Sequence, residues 1–391
     1  MLARMDKLID VLIVGGGPGG LFMAARLAER GVRTLVCEEH ARVGDPVHCT
    51  GVLSADSFAK FDLPHTATLN QLTSVRFLSP GGIPVDYTPP SPMATVIDRP
   101  VFDRALADRA IAAGAEIRVG ARVTALDVDA NGVRAVAGDT VVQARLAVLA
   151  CGAAYKFQRR FGFGLPTTYL QTAQRELPAS CPRDVELHFG QDVAPGGFAW
   201  AVPVLRPEGA YVRIGVMASR GIRGCYQRML ERLRDRWGVT GGDVAPRVKI
   251  LPLGAVGRTY GDRMLAIGDA AGLVKPTTGG GIHYSIVSAA LAADVAVTAL
   301  AADRLDAQTL SAYETAWRAD LADEFEAQQE LREIAASLSD EAIDSFFELA
   351  HTDGIMPIVR ATARFNEHRP LIRALFKHPP ARRILFRAMM A

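Results

Sequence analysis

The chain has 391 residues, 49% of them apolar and 22% charged, with a formal net charge of +2. That length supports two or three domains and a large core, and the balanced charge gives no general argument for a nucleic-acid partner. The five cysteines (Cys37, Cys49, Cys151, Cys181, Cys225) contain no CxxC pair, which argues against a disulfide framework or a zinc site and for a reducing, cytoplasmic compartment.

The first predicted element is Leu8 to Val14, an apolar run broken only by Asp10, of the kind a buried parallel strand needs, its continuous part being Val11 to Val14. It is too short for a signal peptide. It leads into Gly15-Gly16-Gly17-Pro18-Gly19-Gly20, which fits GxGxxG through Gly15, Gly17 and Gly20. Leu21 to Arg30 has helical spacing and stops at Gly31, and Arg33 to Cys37 is a second strand that ends at Glu38. A strand, glycine turn, helix and strand with an acid about 20 residues past the glycines is a dinucleotide-binding pattern. The turn must be tight and its backbone must approach a pyrophosphate, so side chains are excluded. The helix amino terminus adds amides and a positive dipole end. Glu38 would accept hydrogen bonds from a ribose; the plainer reading is an ordinary exposed acid.

His48-Cys49-Thr50-Gly51-Val52-Leu53-Ser54 reads as a loop that sets a cysteine beside a glycine. Taken alone, the loop favours a small core thiol. Residues 74–98 read as two or three short strands. A helix follows at Val101 to Ala113, behind Asp98-Arg99-Pro100-Val101-Phe102-Asp103. Arg99 there is either a fixed charge and donor fork for phosphate or a surface arginine at a helix start. Ala115 to Ala150 reads as strands with a hairpin turn at Asn131-Gly132. Residues 165–253 form a second strand-rich block, interrupted by a charged helix at Tyr226 to Trp237. Within it, Gly197-Phe198-Ala199-Trp200-Ala201-Val202-Pro203 turns Phe198 and Trp200 to one side. That side is either the wall of an apolar pocket or an ordinary core face.

At Met264 to Ile267 the chain returns to an apolar strand, followed by Gly268 to Ile282, GDAAGLVKPTTGGGI. Together with the amino-terminal glycines, this suggests one flavin held from both ends, with Asp269 and the Gly279–Gly281 turn taking the ribityl chain and the ring. Ile282 to Ala301 is apolar enough to span a membrane, but Asp294 interrupts it and alanine dominates it, so a buried helix is expected. Helix patterns dominate from Leu305. Residues 355–391 hold Arg360, Arg364, Arg369, Arg373, Lys377, Arg382, Arg383 and Arg387 against Glu367 alone. Leu371, Ile372, Leu375, Phe376, Ile384, Leu385, Phe386 and Met389 are interleaved with them. Such an end suits an anionic membrane surface, on the inner face of a membrane; the competing partner is the acidic stretch 305–354 of the same chain.

The expected architecture is α/β. A discontinuous Rossmann-type FAD-binding domain (1–160 and 254–304, with strands near 74–98 assignable to the other domain) receives an inserted antiparallel-sheet substrate domain (161–253). A helical C-terminal region (305–391) follows. GGGPGG with Glu38, the CTGVLS loop, the RPVFD element, GGFAWAVP and GDAAGLVKPTTGGGI together resemble the geranylgeranyl reductase family, within the hydroxylase-like flavoproteins. The resemblance implies an FAD-dependent reduction of isolated carbon–carbon double bonds in polyprenyl chains. It implies FAD contacts at Gly15, Gly17, Gly19, Gly20, Glu38, His48, Arg99, Asp269, Gly280, Gly281 and Ile282. Gly51 would lie near the ring and the Val123 backbone near the adenine. Cys49 matches the family's active-site cysteine, and Phe198 and Trp200 match its lipid-lining aromatic motif. No metal is implied. Phe198 stands where tyrosine is more typical, Ala150-Cys151-Gly152 where relatives often carry Asp-Gly, and Pro18-Gly19 where Pro-Ala is commoner.

The expected reaction delivers hydride from reduced flavin while an acid protonates the other alkene carbon. Cys49 is the first candidate for that acid, ahead of His48, His283 and Tyr284. The substrate would be a lipid, quinone or prenyl diphosphate, and the electron donor NAD(P)H or a ferredoxin-like carrier. The rival readings are a flavin monooxygenase or halogenase, for which Lys60 is the nearest lysine candidate, and a non-catalytic flavin or prenyl-lipid binder.

Overall fold

A computed structural model of the protein describes residues 8–390 apart from Asp243 and Asp353, with side chains to Leu385; Phe386, Arg387 and Met389 of the C-terminal pattern lie outside the described side chains. The first half runs β1 (Ile9–Val14), α1 (Pro18–Ala28), β2 (Thr34–Cys37), β3 (Val52–Ser54), α2 (Ala55–Phe61), β4 (Thr68–Leu72), β5 (Val75–Leu78), β6 (Pro84–Tyr87), β7 (Ala94–Ile97), α3 (Arg99–Ala112), β8 (Glu116–Arg118), β9 (Val123–Asp129), β10 (Gly132–Ala137), β11 (Thr140–Leu149) and α4 (Lys156–Arg160). The second runs β12 (Thr168–Pro178), β13 (Val185–His188), β14 (Phe198–Arg206), β15 (Gly209–Ala218), α5 (Ile222–Trp237), β16 (Arg247–Leu253), β17 (Tyr260–Gly261), β18 (Met264–Ala266), α6 (Ile282–Ala301), α7 (Ala307–Ser337), α8 (Asp340–Thr352), α9 (Ile355–Thr362), α10 (Arg369–Lys377) and α11 (Pro379–Met390).

The nucleotide-type sheet has the order β17-β18-β11-β1-β2-β8, with β9 and β10 as an antiparallel hairpin on β11. The pairs β18·β11, β11·β1, β1·β2 and β2·β8 are parallel. Val11, Leu12 and Ile13 are fully buried, because helices cover both faces of such a sheet. α6 packs inside the fold against α1 and α7, and its buried residues run from Ile282 to Leu300. Its apolar length is therefore spent on the core.

A second sheet of seven strands has the order β16-β12-β15-β14-β13-β5-β6, antiparallel except for β13·β5. The segment read as short strands over 74–98 thus divides. β5 and β6 join the seven-stranded sheet, while β7 pairs with β3 and β4 in a small third sheet. β3 lies in the stretch read as loop, and β4 was not anticipated. Both strands are short and lack a clean alternation, so only pairing with β7 gives them a regular form. α5 covers one face of the large sheet through Cys225, Met229, Leu233 and Trp237. Phe198 and Trp200 point to the other face.

On that face Trp200 pairs across the sheet with Gly215 of β15. A Cβ on Gly215 would lie 2.1 Å from the Trp200 ring. Overfilling a packed contact costs about 1–3 kcal/mol. Gly215→Ala should therefore lower unfolding stability by about that amount and shift tryptophan fluorescence, as read by denaturant titration.

Candidate active site

Three stretches distant in sequence meet along one cavity of about 1260 Å3. Single-ligand pockets usually hold about 300–1,000 Å3, so a dinucleotide would leave room for a second molecule. Among the described residues, no group of three His, Cys, Asp or Glu side chains is arranged to hold a metal ion.

The nucleotide end is built by the turn between β1 and α1. Gly15 has φ +112°, and a Cβ there would sit 2.4 Å from the Ala150 carbonyl oxygen. Gly20 is closed off by the Gly15 carbonyl oxygen at 2.3 Å. Gly17 faces open space, the approach a pyrophosphate needs. Gly19 lines the cavity, but its missing Cβ also makes room for Ser285 of α6, whose Oγ would be 2.2 Å away. Glu38 is buried, which removes the reading of an ordinary exposed acid. Its Oε2 accepts from the Gly16 amide at 2.8 Å, and its Oε1 accepts from the His40 amide at 2.9 Å. The carboxylate thus orders the glycine turn itself, a role the sequence reading missed. Val123, at the start of β9, lines the same end of the cavity.

The opposite end is built by the stretch from β18 to α6. Asp269 faces the cavity beside Gly280, Gly281 and Ile282. A Cβ on Gly281 would lie 2.7 Å from the Asp269 carboxylate. Tyr155 donates to the Asp269 carbonyl oxygen at 2.6 Å. Burial raises the Asp269 pKa, against the pull of the Lys249 and Arg99 cations.

Between these ends lies the loop from His48 to Gly51. Cys49 Sγ accepts from the Gly51 amide at 3.3 Å. Gly51 has φ +69°, and a Cβ there would meet Arg213 at 2.7 Å and the Ile97 carbonyl oxygen at 2.8 Å. Arg213, buried on β15, donates to the Thr50 carbonyl oxygen at 2.6 Å, to that of Ile97 at 2.9 Å and to Glu176 at 2.7 Å. The substrate-side sheet therefore holds the cysteine loop in place. Arg213 was not among the expected residues; its signal was a charge inside an otherwise apolar strand run. Arg99 opens α3 and pairs with Asp103 at 2.8 Å. Burial lowers the guanidinium pKa, but the Asp103 carboxylate and Cys49 outweigh it and hold the group charged. Among the described residues, His48 Nδ1 is buried without a hydrogen-bond partner. Burial, with Lys249 and Arg247 nearby, lowers its pKa to about 4.

Beyond the loop the cavity turns apolar. The Phe198 and Trp200 rings lie 5.8 Å apart, Phe189 is 6.0 Å from Phe198, and Phe347 of α8 is 5.9 Å from Phe189. Ile355, Val359, Leu371 and Leu375 of α9 and α10 complete the wall. Two of the lesser acid candidates are poorly suited to the task. His283 Nδ1 is bonded to Ser57 at 2.7 Å, and burial lowers its pKa to about 3. Tyr284 is buried among Phe325, Gln328 and Asn366, and burial raises its pKa.

An open approach at Gly17, an acid-ordered glycine turn, a second glycine turn beside Asp269 and an unpartnered imidazole nitrogen suit an extended dinucleotide. The comparisons agree. The model of the family described as lycopene cyclase protein matches residues 10–351. Digeranylgeranylglycerophospholipid reductase 1 of Methanopyrus kandleri is 31% identical over 370 residues, covering 89% of this chain and 98% of the relative. The chain belongs to the geranylgeranyl reductase family of FAD-dependent oxidoreductases. The crystal structure of a geranylgeranyl bacteriochlorophyll reductase-like protein from Thermoplasma acidophilum superposes with a TM-score of 0.83 at 23% identity, over 98% of this chain and 100% of that one. A variant of halogenase PltM in complex with FAD shares the fold at a TM-score of 0.69 and 16% identity, over 97% of this chain and 85% of that one. The cofactor is FAD.

Three imidazoles of this enzyme stay neutral when folded: His48 and His368 with pKa values lowered to about 4, and His283 to about 3, all chiefly by burial. Below pH about 6.5 the unfolded chain takes up protons that the native state refuses, so stability falls as pH falls. Asp269, whose pKa is raised, works in the opposite direction over part of that range. Denaturant unfolding should show a loss of order 1 kcal/mol per imidazole between pH 6.5 and 5, smaller in a His283→Leu variant.

Proposed function

We propose that this enzyme saturates isolated double bonds of a polyprenyl chain of the geranylgeranyl type, carried on a lipid, quinone or diphosphate. The observation that carries the reading is a single cavity lined both by the two glycine turns and by the Phe189, Phe198 and Trp200 rings, with Cys49 on its wall. The name of the Methanopyrus relative supports a geranylgeranyl lipid as substrate.

Bound FAD, once reduced, supplies the hydride. Gly15, Gly17, Gly19 and Gly20 hold its pyrophosphate side, with Glu38 and Val123 toward the adenosine. His48, Gly51, Arg99, Asp269, Gly280, Gly281 and Ile282 hold the ribityl and ring side. Phe198 and Trp200 hold the prenyl chain by contact and exclude water from the alkene. Cys49 donates the proton to the second alkene carbon, since its thiol is half-buried on the cavity wall and accepts only a neutral backbone amide at 3.3 Å. The Arg99 side chain lies beside the sulfur. Electrons enter from a nicotinamide or a ferredoxin-like carrier.

The fold shared with a halogenase supports monooxygenase or halogenase chemistry as a second reading. Lys60, the lysine named for it, is exposed over the Phe61 ring on α2 and is not part of the cavity wall.

We also propose that the enzyme is cytoplasmic and sits peripherally on an anionic membrane. Arg369 pairs with Asp323 of α7, so the acidic stretch takes up part of the basic end. Arg360, Arg373, Lys377, Arg382 and Arg383 remain exposed on helices whose inner side chains line the cavity, and Arg364 is exposed between α9 and α10. A lipid chain would then pass from bilayer to cavity through α9 and α10.

Two measurements test these readings. Anaerobically reduced enzyme mixed with a geranylgeranyl lipid should be reoxidised, with two hydrogens gained per double bond by mass spectrometry. Cys49→Ala should keep FAD and lose about 100-fold or more in that rate, the range typical of a general acid; reoxidation only on admitting air favours the oxygen-using rivals. In flotation with phosphatidylglycerol vesicles, the enzyme should rise at low salt, and Arg373→Glu/Arg382→Glu/Arg383→Glu should remain at the bottom.

A further inference from the structure

Lys275 lies midway between the Asp269 turn and the glycine turn. It is 2% exposed, and among the described residues no carboxylate comes within ion-pair distance of its ammonium. Its partners are neutral. Nζ donates to the Phe365 carbonyl oxygen and to Asn366 Oδ1, each at 2.7 Å, and lies 4.6 Å from the Phe365 ring centre. The glycine turn is wound around this residue. The Lys275 amide donates to the Gly280 carbonyl oxygen at 3.2 Å, and the Gly279 amide donates back to the Lys275 carbonyl oxygen at 2.9 Å. The aliphatic stem runs directly behind Gly280, where a Cβ would meet Cδ at 3.4 Å. Both Lys275 and Gly280 line the cavity.

A buried ammonium without a counter-charge is costly. Burial lowers the Lys275 pKa to about 7, with Glu324 opposing. The cost falls if negative charge develops on the other side of the glycine turn, and FAD gains negative charge when it is reduced. We propose that Lys275 is a redox-positioning residue whose ammonium, fixed behind the Gly279–Gly281 turn, favours two-electron-reduced, anionic FAD over oxidised FAD. The balance is simple. Two electrons and one proton convert neutral oxidised FAD to its anionic reduced form when Lys275 is already protonated. When Lys275 is neutral, reduction draws a second proton from solvent onto Nζ. The electrons come from the external reductant of the enzyme.

The neighbouring groups leave Lys275 as the group that titrates near neutrality. From α6 it is faced by His283, with a pKa lowered to about 3, and by Tyr284, whose pKa is raised. α7 presents Glu324, which already accepts from the His368 and Arg369 amides, and Arg332, which bonds the Pro276 carbonyl oxygen. The segment after α9 brings His368, with a pKa lowered to about 4, and Glu367. Asp269 and Lys249 lie across the turn, and the Lys249 pKa is also lowered by burial.

The test is a potentiometric titration of the holoenzyme with dithionite and redox dyes between pH 6 and 9, without lipid, so its outcome is independent of the prenyl substrate. Lys275→Met should weaken binding of reduced relative to oxidised FAD about tenfold, about 30 mV lower in midpoint for a two-electron couple. Lys275→Arg should stay near wild type. Asn366→Ala, which removes a neutral tether and keeps the charge, should shift the ratio less than twofold. The wild-type midpoint should steepen above pH 7 from about 30 toward about 60 mV per pH unit, one further proton per two electrons, and Lys275→Met should not steepen. An unchanged midpoint in Lys275→Met, an equal shift in Asn366→Ala, or a constant wild-type slope of about 30 mV per pH unit would overturn the proposal.

Discussion

The close approach of Gly19, Gly268 and Ser285 is the contact on which the rest of the site depends. A Cβ on Gly19 would lie 2.2 Å from Ser285 Oγ, and one on Gly268 would lie 2.4 Å from the same atom. Ser288, one turn further along α6, accepts from the Gly268 amide at 3.0 Å. Three pieces of backbone (the first glycine helix, the strand-to-loop turn before Asp269, and the start of α6) therefore meet around two serine side chains. Two glycines let them come together. Without that closeness, the turn that would take a pyrophosphate and the turn that would take a flavin ring would be too far apart to serve one cofactor.

A second constraint comes from the large antiparallel sheet. It is tied to the cysteine loop, the small third sheet and the start of α3 by a largely buried charge network. Arg213 reaches from β15 to the cysteine loop and to the end of β7, while Glu176 holds both Arg213 and Arg206. Arg206 in turn reaches Asp98, the residue that caps α3. Arg99, next in the chain, pairs with Asp103 and lies near Cys49. Breaking such a buried network from one side leaves charges without partners, so the cysteine loop has little freedom to drift from the cavity. Several hydrogen bonds of this loop and the adjoining Val47, with Gln174, Arg213 and Arg247, are made to the sheet that also carries Phe198 and Trp200. The aromatic wall and the thiol are thus both positioned by the same sheet.

Much of this was legible along the chain because it rests on local rules. A run such as Val11 to Val14 before glycines can only be a buried strand entering a tight turn. The alternation of Phe198 and Trp200 puts both rings on one face, and Asn131-Gly132 makes a hairpin. Other parts followed no local rule. β3 and β4 exist because β7 lies between them. β5 and β6 left their sequence neighbours for the distant β13. Arg213 stands out in its strand only as a lone charge and Gly215 not at all; their roles come from their partners, the distant Thr50 and the cross-strand Trp200. Lys275 sits inside the very motif that announced the cofactor, yet nothing in that motif says that its ammonium is buried against Phe365 and Asn366.

By itself the sequence determined the α/β class, the presence of FAD, the family and the elements that could carry the site. These depend on period, glycine placement and charge, which act over a few residues. Only the tertiary structure decided that Glu38 orders the glycine turn, that the cysteine loop is held by the antiparallel sheet, and that Lys275 lies buried behind the Gly279–Gly281 turn. Those outcomes depend on which surfaces meet once the chain closes, and on how much water remains between them.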